Sequence, residues 1–352
     1  MNDSSHPKNS PAPERARRRK SGGITLADVA KLAGVAPITA SRALNTPDAV
    51  SPAVLERVKE AVARTGYVPN LLAGGLASRK SRLVAAVVPT IAGPVFMETV
   101  QALTETLAAS GYQLMLGQTG YHNSREDALL DAIIGRRPDG IVLTGIMHSA
   151  EGRRRLIASN IPVVETWDLT ATPIDMLVGF SHEKIGQAVA EYLHAHGRRK
   201  VASISGTDER AERRNRAFSD AARALGMAPM GQVPTVMAPP PTTIGSGRAG
   251  LAELLAKAPE VDAIFCSSDM LALGVLIEAQ ARGIKVGQDL AVIGLGDMEF
   301  AKDANPALTT VRLDGTTIGR TAARFIIDRT EGRPIATKVC DIGFSIVERA
   351  SV

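Results

Sequence analysis

The sequence predicts a two-part protein. A small all-α helix-turn-helix domain comes first, and an α/β domain of two lobes follows, each lobe a doubly wound parallel sheet. Three observations predict it. Residues 25–45, TLADVAKLAGVAPITASRALN, carry two short helical patterns separated by a glycine. From Leu83 onward, continuous apolar runs of strand length alternate with amphipathic helical stretches, as in a parallel sheet covered on both faces. Charge is also divided: residues 1–82 hold 14 Lys and Arg against 6 Asp and Glu, and the remaining 270 hold 27 against 30. A basic first quarter on a slightly acidic body directs a polyanionic partner to the N-terminal part alone.

Taken in order, residues 1–23 are rich in Pro, Ser, Asn and Arg without an apolar period, and read as a disordered basic tail. Its RARRRK run either adds non-specific phosphate contacts or is simply solvated. Residues 24–69 form the helical domain. Thr25 is an N-cap, and Asp28 faces the first-turn N–H groups. Leu26, Val29, Ala30 and Ala33 share an apolar face, and Gly34 ends the helix. Pro37 opens a second helix that carries Thr39, Ser41 and Arg42 outward and turns Ala40 and Leu44 inward. Two helices of about eight residues and a glycine turn describe a helix-turn-helix, although an ordinary helical hairpin fits this stretch alone. Ser51 and Pro52 start a third helix with a cap and an N1 proline, and Gly66 stops it.

Residues 70–82 are a hinge or linker, and residues 83–352 are the lobed domain. Its apolar strands are LVAAVVP, YQLMLGQ, DGIVLTG and IPVVETW, with helices between them; the rhythm resumes in RKVASISG, VDAIFCSSD and DLAVIGLGD. The expected division gives the first lobe residues 83–180 and 297–325, and the second 181–296 and 326–350.

Composition narrows the function. Hydrophobic content of 45% and charged content of 22% are those of an ordinary globular chain. Cys266 and Cys340 lie far apart, so neither a disulfide framework nor a metal site is expected, and a reducing cytoplasm fits. No apolar run approaches membrane-spanning length, and no apolar leader stands at the N-terminus. No GxGxxG follows a strand, no phosphate-binding loop is present, and no acid, base and nucleophile stand together. An enzyme and a bound cofactor are therefore not expected, and the basic first domain argues against a sugar-transport component.

The motif TLADVAKLAGV, then TASRALN, Val50-Ser51, Gly66-Tyr67-Val68-Pro69-Asn70 and Ala73-x-x-Leu76, stands at the spacing of the lactose/galactose repressor family. The chain closely resembles that family over roughly residues 24–350. The resemblance implies that 70–82 is a hinge helix that forms against DNA and inserts Leu76 into the minor groove, where an apolar wedge unstacks a base step. Gly74 and Gly75 each lower helix propensity by roughly 1 kcal/mol, so this hinge is expected to be weakly helical without DNA. The resemblance also implies a type I periplasmic-binding-protein fold for the lobed domain. Pro37, Ile38 and Arg42 match base-contacting positions: Ile38 suits a thymine methyl, and Arg42 suits either a bidentate guanine contact or a phosphate. Thr25, Thr39, Ser41 and Asn70 are expected on the DNA backbone.

Ligands of doubly wound sheets bind beyond the carboxyl ends of strands, here between the lobes. The resemblance brings Arg214 to an effector as the start of RNRAF; a plain surface arginine is the alternative. Asp269 accepts from sugar hydroxyls or caps a helix, two compatible roles, and Asp297 follows Gly296, the position where the family usually has an acid. Glu165, Trp167 and Asp168 leave one strand; Trp167 is either a flat wall for a sugar or a hinge cover, and Phe96 is a lid or core residue. Within the family, GYQLMLGQTGYHNSREDALL, DGIVLTG, IPVVETWD and DIGFSIVERAS are most similar to the gluconate-operon repressors. A homodimeric repressor of operator DNA is implied, controlled by a sugar acid such as gluconate, whose carboxylate the cluster Arg210, Arg213 and Arg214 would meet.

Overall fold

The computed structural model describes residues 23–68, 80–91, 94–120, 123–147, 149–228 and 231–352. Of the tail expected over residues 1–23, all but Gly23 lies outside the described residues, as do the hinge residues Asn70 and Leu76. The chain divides into two compact units, Met1–Arg79 and Lys80–Val352.

In the first unit α1 (Leu26–Ala33), α2 (Pro37–Asn45) and α3 (Pro52–Thr65) enclose a small core. Thr25 and Asp28 form a reciprocal capping box at α1. The Asp28 amide donates to the Thr25 hydroxyl oxygen, and the Asp28 carboxylate accepts from the Thr25 amide at 2.9 Å. Gly34, at φ +65°, takes the left-handed turn that releases the chain toward α2. Val29, Ala30 and Ala33 pack with Ala40, Ala43, Val58 and Ala61. Five alanines among these seven let the helix backbones approach closely. Ala43 is buried with Ala40 on the inward face of α2, and Leu44, half-buried, packs against the same core. Ser51 does stand at the N-cap of α3, but its side chain makes no capping bond. The fixed φ of Pro52 starts that helix instead.

In the second unit one six-stranded sheet contains β1 (Leu83–Val88), β2 (Gln113–Gln118), β3 (Gly140–Thr144), β4 (Val163–Thr166) and β5 (Met176–Gly179), with β11 (Val339–Asp341) at its edge. The order is β11-β5-β4-β3-β1-β2, and every pairing is parallel. The other sheet contains β6 (Val201–Gly206), β7 (Thr235–Ala238), β8 (Ala263–Cys266), β9 (Ala291–Gly296), β10 (Thr309–Arg312) and β12 (Ser345–Val347). Its order is β12-β10-β9-β8-β6-β7, parallel except for β12 against β10. The strands β1, β3, β4 and β6 are almost wholly buried, because helices cover both faces.

The helices are α4 (Met97–Ala109), α5 (Asn123–Ile134), α6 (Ala150–Ser159), α7 (His182–Ala195), α8 (Glu209–Ala224), α9 (Ile244–Lys257), α10 (Asp269–Ala281) and α11 (Gly315–Thr330). Two of the expected lobe segments change sides. Residues 309–312, expected in the first lobe, form β10 beside β9 in the second sheet, with Thr309 paired to Ile293 and Val311 to Leu295. The chain re-enters the first lobe only at α11, whose buried Ile318, Ala322 and Ile326 cover the first sheet. Gly140 leaves the space that Ile326 fills, since a Cβ there would stand 2.4 Å from the isoleucine. Strand β11, expected in the second lobe, then extends the first sheet beside β5 before β12 returns to the second. Crossings therefore fall near residues 180–182, 313–314 and 342–344.

Candidate functional site

The start of α2 is the candidate DNA-reading surface. Pro37, Ile38 and Arg42 are exposed, Ile38 by 62%, and Thr39 and Ser41 are half-buried beside them. An isoleucine left this open on a helix that buries two alanines is available for a partner surface. Among the described residues the Arg42 side chain has no hydrogen bond or ion pair, so its guanidinium is available too. Thr25 is exposed, and its hydroxyl donates to Asp28 at 2.6 Å.

The second candidate site is a cleft of about 290 Å³ between the two lobes of the second unit. That is at the lower end for small-molecule sites, roughly 300 Å³ upward. The first lobe contributes an apolar wall: Pro94, Val95, Phe96, Trp167 and Phe180. The second contributes polar groups at the carboxyl ends of β6, β7 and β8, where α8, α9 and α10 begin. These are Asp208, Arg210 and Arg214, then Thr242 and Thr243, then Ser267 and Ser268. Asp208, Thr243 and Ser268 are the N-caps of the three helices. Three helix N-termini therefore converge on one side, each favouring negative charge.

Arg214 is 7% exposed, on the buried face of α8. Gly186 lets α7 come close enough to hold it, for a Cβ there would meet the Arg214 carbonyl oxygen at 2.3 Å. Arg214 Nη1 donates to His182 Nδ1 at 2.8 Å, and Nη2 reaches the Ser267 carbonyl oxygen at 3.4 Å. Its Nε is buried with no partner, and among the described residues no carboxylate lies within 4 Å of the guanidinium. Burial lowers its pKa to about 10, partly offset by Asp208, so the group stays cationic at neutral pH. His182 is pulled far below the ordinary histidine value, first by burial and then by the charges of Arg214, Arg210 and Arg213. It is neutral, and because arginine can only donate, its proton is on Nε2, which donates to the Trp167 carbonyl at 3.0 Å.

Trp167, at φ +65°, adopts a conformation that bulky side chains rarely take, at a cost of roughly 1–3 kcal/mol. Its surroundings hold it there. The indole N–H donates to the Thr99 hydroxyl at 3.2 Å, and Phe96 and Phe180 meet the ring edge-on at 4.9 and 5.8 Å. It is 5% exposed, so the ring is a wall of the cleft seated in the first lobe's core.

Of the seven residues expected at an effector, the structure brings Phe96, Trp167 and Arg214 to the cleft. The other four are committed to the scaffold. Glu165, fully buried, accepts from the Met147 and Ile174 amides at 3.0 and 2.8 Å and ties two loops to β4. Asp168 is bonded to Arg213, which also faces Glu183 at 3.6 Å. Asp269, fully buried, accepts from the Thr310 hydroxyl at 2.6 Å and the Met298 amide at 2.8 Å. Burial raises its pKa to about 6 against those two bonds, and Gly294 supplies the space, since a Cβ there would meet its Oδ1 at 2.1 Å. Asp297, at φ +53°, pairs with Arg312 and with Arg349 at 2.6 Å.

Sequence reasoning missed the hydroxyls of Thr242, Thr243 and Ser267, as well as His182. The available signal was local: Thr243 and Ser268 are N-capping residues at strand-to-helix junctions, which is where the ligands of such sheets bind. Among the described residues no group of three His, Cys, Asp or Glu side chains is placed to hold a metal, and no helix is long and apolar enough to cross a membrane.

Comparison with known proteins matches residues 25–70 to the model for bacterial regulatory proteins of the lacI family, and residues 190–352 to that for the periplasmic binding protein-like domain. The chain is 36% identical over 334 residues to the HTH-type transcriptional regulator GntR of Pseudomonas aeruginosa, covering 95% of this chain and 97% of that protein. A crystal structure of a LacI-family transcriptional regulator from Silicibacter pomeroyi is similar with a TM-score of 0.86 and 29% identity, over 93% of this chain and 99% of that one. The crystal structure of the transcription regulator GntR from Chromobacterium violaceum is similar with a TM-score of 0.73 and 33% identity, over 76% and 98%. Helix-turn-helix, two-lobed fold and relatives agree: the chain belongs to the LacI family of DNA-binding transcriptional regulators and is not an enzyme.

Proposed function

We propose that this regulator is a homodimeric repressor whose operator affinity is lowered by a sugar acid, gluconate or a phosphorylated relative, bound between the lobes. The observation that carries the acid is Arg214: a buried cation with no carboxylate partner within 4 Å among the described residues, at a cleft where three helices present their N-termini. Burying a charge is unfavourable unless it is paired, so an anionic ligand supplies what the protein leaves out. The four hydroxyls of Thr242, Thr243, Ser267 and Ser268 suit a polyol chain, and the Phe96–Trp167 wall suits its C–H faces. The resemblance to gluconate-operon repressors points the same way.

One helix-turn-helix reads one half-site, so a pseudo-palindromic operator requires two copies. The edge strands β2 and β7 expose Leu116 and Met237, apolar side chains for a second copy to cover. Pro37, Ile38 and Arg42 read bases, and Thr25, Thr39, Ser41 and Asn70 contact the DNA backbone. Leu76 wedges the minor groove and leaves it when the effector changes the lobes.

The test is operator binding by fluorescence anisotropy, on a site found by in vitro selection. Gluconate or 6-phosphogluconate is expected to weaken binding by about 5- to 150-fold, the usual range of allosteric coupling, and glucose is not. Operator affinity indifferent to both acids contradicts the reading.

A further inference from the structure

Three arginines stand on one face at the start of α8, at positions 210, 213 and 214, and their surroundings divide their roles. Arg213 is consumed by Asp168 and Glu183. Arg214 is fixed by His182 and the Ser267 carbonyl. Arg210 differs from both. Its side chain lines the cleft, and its nearest carboxylate, Asp208, lies 3.8 Å away, too far for a hydrogen bond. Among the described residues none of its donors makes a hydrogen bond.

Arg210 is rooted in the second lobe and ends against the first. Its guanidinium carbon lies 5.7 Å from the centre of the Phe96 ring, and a Cβ built on Gly145, at the end of β3, would stand 3.5 Å from its Nη1. The side chain is 17% exposed, so its charge faces the cleft and not open solvent.

We propose that Arg210 reads the effector's negative charge across the cleft and sets the preference for an acid over its neutral counterpart. This rests on the sugar-acid reading of the cleft and goes further, since it adds to the buried Arg214 a second cation, one rooted in the second lobe, ending against the first, and making no hydrogen bond within the protein among the described residues. A carboxylate offers the guanidinium paired, charge-assisted bonds; a neutral amide or hydroxymethyl group at the same place does not. Because Arg210 touches both lobes, an anion bound to it also ties the second lobe to the Phe96 wall. The fixed Arg214 is bonded within the second lobe and to His182 at the crossing, and spans less of the cleft.

The experiment compares gluconate with gluconamide, its neutral analogue, by calorimetric titration of the full chain, R210Q and R210K. The wild-type protein is expected to prefer the acid at least tenfold, and to lose part of that preference as salt is raised. R210Q is expected to retain at most a third of that preference, the part Arg214 supplies, with a weaker salt dependence, and R210K to fall between. R210Q keeping the wild-type preference overturns the assignment while leaving the sugar-acid reading standing. If R210Q fails to melt cooperatively, R210K decides: an unreduced preference there overturns the proposal. A wild-type protein that binds no gluconate, or binds acid and amide alike, overturns the sugar-acid reading and this proposal with it.

Discussion

Arg214 and His182 share a hydrogen bond of 2.8 Å in which the guanidinium is the donor, and this fixes the imidazole as a neutral Nε2–H tautomer. His182 passes the constraint on to the Trp167 carbonyl, and the Trp167 indole passes it to Thr99. Thr99 in turn donates to the Gly315 carbonyl at the start of α11. A buried chain of bonds therefore runs from the cleft arginine in the second lobe, through a wall residue, to a point where the chain crosses between lobes.

Replacing His182 with phenylalanine keeps a ring in place but leaves Arg214 Nη1 and the Trp167 carbonyl unpaired in the interior. Each orphaned group costs about 1–3 kcal/mol, so H182F is expected to lose on the order of 2–6 kcal/mol in urea unfolding. A loss under about 0.5 kcal/mol contradicts the network.

Two buried groups give the stability opposing pH dependences. His182 binds its proton less readily folded than unfolded, so its contribution is present above the ordinary histidine pKa and is lost as pH falls below about 6.5. Asp269, raised to about 6, holds its proton more tightly when folded, so its contribution is present at low pH and lost as pH rises from about 4 to 6. Asn at 269 can still accept from the Met298 amide and donate to Thr310. D269N is therefore expected to lose stability more steeply than wild type on acidification. Between pH 7 and 4 the wild type gains on the variant by up to about 3 kcal/mol, the equivalent of the two-unit shift. Parallel pH profiles contradict the raised pKa.

Arg42 is expected to discriminate one base pair. In R42A, preference at that position falls by about 1–3 kcal/mol in a competition of operator variants. A uniform loss across all variants, with a shallower salt dependence, would make it a phosphate contact instead.

Arg214→Ala removes the unpaired buried cation. Its operator complex is expected to stop responding to sugar acids, with at least a hundredfold weaker acid binding, since hydrogen bonds between charged groups contribute about 1.5–3 kcal/mol each. A normal response would move the acid's contacts elsewhere in the cleft.

The parts of the fold with strong local signals were legible in the sequence. The capping box at Thr25, the turn at Gly34 and the apolar strands β1, β3 and β6 all state their conformation within a few residues. Helix α9 did not, because Gly245, Gly247 and Gly250 lower its propensity. Two of these serve packing: a Cβ on Gly247 would stand 2.1 Å from the Leu271 carbonyl oxygen, and one on Gly250 would stand 3.0 Å from Ile204. Strand β10 was misassigned because its pairing with β9 is a contact at a distance that no local pattern encodes. In the cleft, Arg214 was legible from its motif. Asp168, Asp269 and Asp297 looked like ligands because they follow strands, yet each finds its partners within the protein. Which polar group faces the cleft depends on what else stands within 3 Å, and that is a property of the assembled lobes.

A sugar acid bound between the lobes would lie beside Trp167, the only tryptophan in the chain. The most direct test is the fluorescence of that residue in the DNA-free full chain, titrated with gluconate, 6-phosphogluconate and glucose. A saturable change with an acid and none with glucose is the predicted result. No change with either acid, or the same change with glucose, would contradict it.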